Sequence, residues 1–177
     1  MIAFKLCRKY KDGTYGPLYV GTGDRWNLGA WVYAYPGERN ADGKVISKLG
    51  GLAYRPGLHL TEVPYAPHIG KKNKDGKIVA MHDNTVWLVC EVEDTIDYTD
   101  LARRNGVKPN GKFDPRIACL DRIPDNGFYW YNTNPNAYGN WLITSAMRPM
   151  YELNDAQIVQ ICKIMGIENP LVHRKVA

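Results

Sequence analysis

The chain has 177 residues, and its 23 Lys and Arg residues against 18 Asp and Glu residues leave a formal net charge of +5. Hydrophobic residues make up 45% and charged residues 23%, proportions that exclude wholesale disorder and fit one soluble globular domain. The aromatic set is unusual, with 12 Tyr and 5 Trp but only 3 Phe. Because Tyr and Trp join an apolar ring to a polar group, they suit ligand sites as well as a core.

Several classes of protein are excluded by simple patterns. No segment approaches the roughly 20 apolar residues that cross a bilayer, and residues 1–10 resemble neither a signal peptide nor an anchor. The four cysteines are Cys7, Cys90, Cys119 and Cys162. Their spacing gives no C-x-x-C motif, so reduced thiols and no structural zinc are expected. Gly21-Thr22-Gly23 lacks the rest of a dinucleotide or P-loop fingerprint. We expect no metal, no cofactor, no membrane contact and a cytoplasmic location.

The first elements in the chain are predicted strands. Phe4 to Tyr10 alternates in hydrophobicity, Asp12-Gly13 supplies a turn, and Tyr15 to Val20 forms the return strand of a hairpin. Trp26 to Tyr35 predicts a short strand or helical turn. Gly51 to Leu60 predicts a strand that Pro56-Gly57 interrupts. The glycine-rich and charged residues 36–50 and the basic residues 70–83 predict exposed loops.

The clearest strand runs from Asn84 to Glu93. Its even positions, from Val86 to Val92, form an apolar face that belongs in the core. The odd positions carry Trp87, Val89, Glu91 and Glu93 beside Thr85, so we expect that face to be at most half buried.

The second half of the chain predicts two more strands and two helices. Thr99 to Asn105 is a short helix with Thr99 as a candidate N-cap, and Phe128 to Tyr131 and Trp141 to Tyr151 are strands. The final helix begins after Asn154, with Gln157 three residues on as in a capping box, and residues 168–177 form a tail. Mostly strands with a late helix predict a single α+β domain: an antiparallel or mixed sheet with the C-terminal helix packed on it.

A cluster of polar residues on glycine- and proline-rich turns is the leading candidate site. Arg55 offers a cationic fork for a phosphate or carboxylate, and His59 and His68 titrate near neutral pH as an acid and a base would. The structural alternative is that Arg55 pairs with Glu91 or Glu93 while each histidine bonds a loop carbonyl. His59 and Thr61 also form one H-x-T motif, of which two-histidine phosphoesterases use two.

Two further patterns extend the candidate site. Glu91-Val92-Glu93 places two carboxylates on one strand face, about 7 Å apart by strand rise, and is similar to the glutamate pair of some ADP-ribosyltransferases. The remaining candidates are ring and amide side chains that could stack on or read a base. They are Tyr54, Trp87, Tyr129, Tyr131, Asn132 and Asn134.

These motifs together resemble a domain of bacteriophages and mobile elements. The residues that carry the resemblance are Lys11 to Val20, Tyr54 to His59, Pro67 to Gly70, Val86-Trp87, Glu91 to Glu93, Asn132 to Asn136 and Trp141 to Ile143. That domain occurs as stand-alone small phage proteins and within long multidomain "polyvalent" phage proteins. The resemblance spans most of the chain and implies a phage or prophage origin, a host cytoplasm and a role against host defence, without a reaction type.

The leading functional hypothesis is a protein that binds a nucleotide-like phosphate ligand through Arg55, His59 and His68, with Trp87, Glu91 or Glu93 opposite. As an enzyme it would be a nucleotide-directed hydrolase or an ADP-ribosyltransferase-like transferase, with the histidines as acid and base. The alternative is a non-enzymatic protein that binds a host protein or a nucleic acid through its basic loop and aromatic surface.

Overall fold

The computed structural model describes residues 1–47, 50–75, 78–80, 84–133, 138–168 and 170–171. Within them the chain forms an α+β fold dominated by strands, as predicted. In chain order the elements are β1 (Ile2–Lys9), β2 (Tyr15–Gly16), β3 (Val32–Tyr33), β4 (Leu58–Thr61), β5 (Lys71–Lys72), β6 (Ile78–Ala80), β7 (Thr85–Val92), β8 (Ile96–Asp97), α1 (Thr99–Asn105), β9 (Gly127–Tyr131), β10 (Trp141–Thr144), β11 (Ala146–Glu152) and α2 (Asp155–Ile164).

A nine-stranded mixed sheet organises the molecule. Eight strands follow the order β3-β11-β7-β1-β4-β10-β9-β8, and β2 pairs with β1. Every pairing in it is antiparallel except that of β8 with β9. Strands β5 and β6 form a separate antiparallel pair within the segment predicted as an exposed basic loop. The central strands β1, β7 and β4 therefore fix the positions of the residues that concern function.

Hydrophobic clusters cover both faces of the sheet. One face carries a cluster that includes Trp26, Leu60 and Leu88. On the opposite face, α2 packs through Ile158 and Cys162, and α1 packs through Ala102 on a smaller cluster around Tyr129. On the first face the segment between β2 and β3 supplies Trp26 to the cluster, and neither α1 nor α2 contributes a residue to it.

The prediction for the second face of β7 was wrong. Trp87 and Val89 are 4% and 5% exposed, because α2 and Leu153 pack directly over them. The alternation of apolar and polar residues along β7 is incomplete, and both faces are buried from Trp87 to Cys90. Glu91, next on this face, is only partly covered.

Several element boundaries also differ from the prediction. The return strand of the first hairpin is only Tyr15–Gly16, and β4 is confined to Leu58–Thr61 after the Pro56-Gly57 turn. The predicted strand Trp141 to Tyr151 divides at Ser145 into β10 and β11. Short strands end where the backbone leaves the hydrogen-bonded ladder, which an apolar pattern alone does not reveal.

The two helices differ in how closely the structure follows the prediction. Helix α1 spans the predicted residues, but Tyr98 occupies the N-cap position and the Thr99 hydroxyl instead accepts the backbone N–H of Trp130. Helix α2 has the predicted capping box, with Asn154 and Gln157 each accepting a backbone N–H of the other at 2.9 Å. Leu153 and Ile158 lie in the same hydrophobic cluster, in the positions of a hydrophobic staple.

We expect Asn154→Ala to lower the free energy of unfolding by about 1 kcal/mol, because the N–H of Gln157 loses its acceptor. Chemical denaturation followed by circular dichroism measures the change. The control is Asn27→Ala, since Asn27 is exposed outside any helix or strand and should alter stability by less than about 0.5 kcal/mol. Equal stability of the two variants would contradict a role for the capping box.

Candidate functional site

The sheet opens between β1 and β4. These neighbouring strands share a single register pair, Phe4 with Thr61. At the next residue of β1, Lys5, the contact to β4 is made by the side chain: Lys5 Nζ donates to the carbonyl oxygen of His59 at 2.6 Å. At this point a side chain, in place of the backbone ladder, joins the two strands, and residues of both strands line a cleft.

The cleft has a volume of about 410 Å³. Its charged and histidine side chains are Lys5, Asp24, Arg55, His59 and His68. Its aromatic side chains are Phe4, Tyr19, Trp26, Tyr33, Tyr35, Tyr131 and Trp141. The cleft therefore combines aromatic walls with two basic side chains, two histidines and a single carboxylate from the described residues.

Lys5 is the most strongly constrained cation of the cleft. It is half-buried, and its ammonium lies 5.9 Å from the centre of the Trp26 ring. In the described part of the chain no carboxylate forms an ion pair with it, and burial lowers its pKa below the ordinary lysine value. A cation held in this way lacks the counter-charge that would normally offset its loss of hydration.

Arg55 reaches the cleft from the turn that precedes β4. The turn passes so close to β10 that a Cβ on Gly57 would lie 2.3 Å from Ile143 Cγ2, and Gly57 has φ of +135°. The guanidinium of Arg55 donates to the carbonyl oxygen of Arg116 at 2.7 Å and lies 5.5 Å from the Tyr131 ring. Arg55 thus has one donor committed to the backbone and a fixed position above an aromatic ring.

The Arg116 carbonyl that receives Arg55 is itself held in place. Asp114 accepts the backbone N–H, Nε and Nη2 of Arg116 at 3.0, 3.0 and 2.8 Å, and Lys108 forms a further ion pair with it at 2.8 Å. The two cations hold the pKa of the Asp114 carboxyl well below its usual range. The turn that positions Arg55 is therefore pinned by an ion-pair network outside the cleft.

His59 connects the Arg55 turn to strand β9. Its Nε2 lies 2.7 Å from the carbonyl oxygen of Arg55, which can only accept, so Nε2 carries the proton. Nδ1 then accepts from the Tyr131 hydroxyl at 3.2 Å. Burial lowers the pKa of His59 to about 4, with the charges of Lys5 and Arg55 acting in the same direction. At neutral pH His59 is a neutral imidazole with both nitrogens occupied, which favours a positioning role.

His68 and Thr61 also line the cleft, whereas Tyr54 lies outside its lining. His68 is exposed, with its ring 5.5 Å from that of Trp141, and partial burial lowers its pKa. Thr61 is 3% exposed, and its hydroxyl lies 2.6 Å from the carbonyl oxygen of Val63. Tyr54 instead stacks under Arg39, whose Cζ is 3.3 Å from the ring centre.

The two glutamates of the E-x-E pattern are engaged elsewhere and do not line the cleft. Glu91 forms an ion pair with Arg148 on β11, on the far side of β7 from the cleft. Glu93 lies just beyond the end of β7 and accepts the backbone N–H of Thr95 at 3.0 Å. The pairing of Arg55 with either glutamate, which was the structural alternative to a ligand site, is not found among the described residues.

The predicted aromatic and amide wall divides between the cleft and the core. Tyr131 lines the cleft, whereas Tyr129 is fully buried under α1, and burial raises its pKa. Trp87 lies in the core beneath α2. Asn132 is half-buried and outside the cleft lining, and Asn134 lies outside the described residues. Tyr131 is thus the one aromatic residue of the predicted set that borders the cleft.

Several cleft residues were not predicted from the sequence. They are Lys5, Asp24, Tyr19, Trp26, Tyr33 and Tyr35. The sequence signal for Lys5 was its position in β1. Because successive residues of a strand point to opposite faces, Lys5 lies on the same face as Ala3 and Cys7 and on the face opposite to Phe4 and Leu6. Ala3 and Cys7 are fully buried, so the face that contains Lys5 points inward.

The described residues offer neither a cluster of metal ligands nor a reactive thiol among the buried cysteines. Within the described ranges, no group of three or more His, Cys, Asp and Glu side chains is arranged to hold a metal ion. The four cysteines are free, and Cys7, Cys90 and Cys162 are buried. Burial raises the pKa of Cys7 and Cys90 to about 12, so neither forms a thiolate at neutral pH. Across the described residues, no helix combines the length and apolar character needed to span a membrane.

Comparison with known proteins does not assign this fold and cleft to a family. No protein-family model, curated protein or solved structure matches the chain.

Proposed function

We propose that the cleft binds a nucleotide-like phosphate ligand. The observation that carries the proposal is the pair of cations, Lys5 and Arg55, which line an aromatic cleft without a carboxylate partner in the described residues. A cation that has lost part of its hydration gains most from a ligand that supplies the missing negative charge. A phosphate also accepts several hydrogen bonds, which suits the planar fork of an arginine.

The aromatic walls support the ring part of the ligand. Trp26, Tyr35, Tyr131 and Trp141 line the cleft, and stacking of a base on an aromatic ring contributes about 1–3 kcal/mol. The volume of about 410 Å³ lies within the usual range for small-molecule sites, roughly 300–1,000 Å³. A single nucleotide combines a ring and a phosphate in one molecule of suitable size.

Binding, with His59 as a positioning residue, is the activity we propose first. The imidazole fixes the Arg55 backbone and the Tyr131 hydroxyl, both of which border the cleft. Cleavage of the ligand or transfer from it would need a free acid or base, for which His68 is the exposed candidate. Incubation with NAD and with a cyclic dinucleotide, followed by mass spectrometry, tests this enzymatic form of the proposal.

The biological setting is also a proposal. The resemblance of the sequence to the phage domain supports a phage-encoded protein that acts in the host cytoplasm, with a nucleotide of host defence as its ligand. The net charge of +5 is compatible with a phosphate-bearing partner.

The direct test is calorimetric titration with GMP and AMP, with guanosine and adenosine as phosphate-free controls. We expect Arg55→Gln to weaken binding of the monophosphates about tenfold, because charge-assisted bonds to the phosphate are lost. The matched control is Arg39→Gln, which removes the same charge from an exposed arginine outside the cleft lining. Absence of binding by both monophosphates, or equal affinity for the nucleosides, would overturn the proposal.

A further inference from the structure

A carboxylate with a fixed orientation borders the aromatic part of the cleft. Asp24 is half-buried, and its Oδ2 accepts the hydroxyl proton of Tyr35 at 2.7 Å. Burial, together with this hydrogen bond to Asp24, raises the pKa of Tyr35 to about 12, so Tyr35 remains a donor at neutral pH. Within the described residues no donor bonds the other carboxylate oxygen, Oδ1.

The nearest cation in sequence does not neutralise this carboxylate. Arg25 directs Nη1 to the carbonyl oxygens of Gly23 and Asp24 at 3.0 and 2.9 Å, and its Cζ stacks 3.5 Å from the centre of the Tyr10 ring. In the portion of the chain that the structure describes, no Lys or Arg forms an ion pair with the Asp24 side chain. Among the described residues the Asp24 carboxylate therefore has no cationic partner, although the cleft that it lines also contains Lys5 and Arg55.

Gly21 makes the contact between Asp24 and Tyr35 possible. A Cβ at Gly21 would lie 2.0 Å from the Tyr35 hydroxyl oxygen and 2.8 Å from Asp24 Oδ2, and its φ of +64° suits glycine. The backbone therefore packs directly against the hydrogen-bonded pair and limits the positions that the carboxylate can adopt.

The carboxylate of Asp24 and the ammonium of Lys5 line the same cleft. The cleft volume of about 410 Å³ lies within the usual range for small-molecule sites, roughly 300–1,000 Å³. An anion at Lys5 and a hydrogen-bond donor at Asp24 can therefore belong to a single molecule that occupies this cleft.

We propose that Asp24 reads the base edge of the ligand and selects guanine, an inference that rests on the proposed nucleotide-binding function. Guanine presents N1–H and the N2 amino group side by side, and the Asp24 carboxylate can accept both in parallel, one at Oδ1 and one at the lone pair of Oδ2 that Tyr35 does not use. Adenine places the N1 lone pair beside its amino group, so the same carboxylate meets an acceptor and is repelled. Hypoxanthine keeps N1–H and lacks the amino group, so it offers one bond of the two.

Calorimetric titration of the full chain with GMP, IMP and AMP tests the selection. We expect GMP to bind at least tenfold more tightly than AMP, with IMP between them, because a charge-assisted bond is lost at each step. Equal affinity for all three monophosphates would overturn guanine selection and leave nucleotide binding intact. If none of the three binds, the proposed function fails and the selection fails with it.

Variants locate the preference in the carboxylate. Asp24→Asn keeps the size of the side chain, and we expect the ratio of AMP to GMP dissociation constants to fall to about one. Gly21→Ala displaces the Asp24–Tyr35 pair and should lower the same ratio. Gly23→Ala is its matched control, because a Cβ at Gly23 meets no atom within 4 Å and the preference should persist. A GMP preference that survives Asp24→Asn in a folded protein would contradict the assignment.

Discussion

Replacing Lys5 with methionine is expected to weaken GMP binding by up to about a hundredfold and, at the same time, to make the free protein more stable. The loss of affinity follows from removing a charge-assisted contact in a half-buried cleft, worth about 1.5–3 kcal/mol. The gain in stability follows because the half-buried ammonium has no ion pair among the described residues, and burial lowers its pKa. Methionine has a similar length and no charge to desolvate.

The expected increase in the free energy of unfolding is about 1 kcal/mol, after the lost bond to the His59 carbonyl oxygen is subtracted. Because the pKa of Lys5 is lowered in the folded protein, the cost of its charge is fully present below that lowered pKa. This cost disappears as the pH rises towards the ordinary value of 10.5. The difference between the wild-type protein and the variant should therefore narrow between pH 7 and pH 10.

Isothermal calorimetry and urea denaturation at the two pH values measure both effects. Lys9→Met is the control, since Lys9 is an exposed residue of the same strand that pairs with Glu152 at 2.8 Å. That control should bind GMP as the wild-type protein does and gain no stability. If Lys5→Met lowers stability and leaves affinity unchanged, Lys5 is a structural residue and not a ligand contact.

The general fold could be predicted because its signals are local. The capping box of α2 depends on residues three positions apart, and the central strand β7 depends on an alternation within ten residues. The burial of Trp87 could not be predicted in this way. Its environment is set by α2, which lies about seventy residues further along the chain, and single-sequence alternation carries no information on which helix covers which strand.

The candidate site was predicted in part for the same physical reason. Arg55, His59 and His68 come from one continuous segment, and the structure places all three in the cleft lining. Lys5 and Asp24 come from another segment that reaches the cleft only through sheet pairing. The sequence-based hypothesis placed Glu91 opposite Arg55. In the sheet, however, β7 pairs with β11, and Glu91 forms its ion pair with Arg148 of β11.

The aromatic residues show the limit of composition as a guide. Trp87 and Tyr129 were predicted to be site residues, and Trp26 and Tyr33 were assigned only to a short strand or helical turn. In the structure Tyr33 is 70% exposed and lines the cleft, Trp26 belongs to the core and also borders the cleft, and Trp87 and Tyr129 are buried in the core. The polar atom of a Tyr or Trp permits either environment, so the neighbours in space decide between them.

Acidification is expected to destabilise the protein through His59. The pKa of His59 is lowered from 6.5 to about 4 by burial, so the unfolded chain binds a proton between these pH values and the folded protein does not. The contribution to stability is fully present above pH 6.5 and is lost as the pH falls towards 4. The shift corresponds to a loss of about 3 kcal/mol.

The structural reason is that a protonated Nδ1 of His59 can no longer accept the hydrogen bond from the Tyr131 hydroxyl. Nε2 already donates to the Arg55 carbonyl oxygen, so the added proton must sit on Nδ1, where Tyr131 now donates. The new positive charge also lies close to Lys5 and Arg55, both of which disfavour it. Protonation of His59 therefore removes the hydrogen bond from Tyr131 and weakens the link between the Arg55 turn and β9.

The stability of the wild-type protein and of His59→Gln should be compared by urea denaturation from pH 7.5 to pH 4. Glutamine can donate to the same carbonyl oxygen but does not titrate, so the difference in stability between the two proteins should change by about 3 kcal/mol over this range. His68→Gln is the control, because His68 is exposed and its removal should leave most of the pH dependence in place. Parallel stability curves for the wild-type protein and His59→Gln would show that the imidazole is solvated in the folded state, and Arg55 would then need another residue to hold its turn.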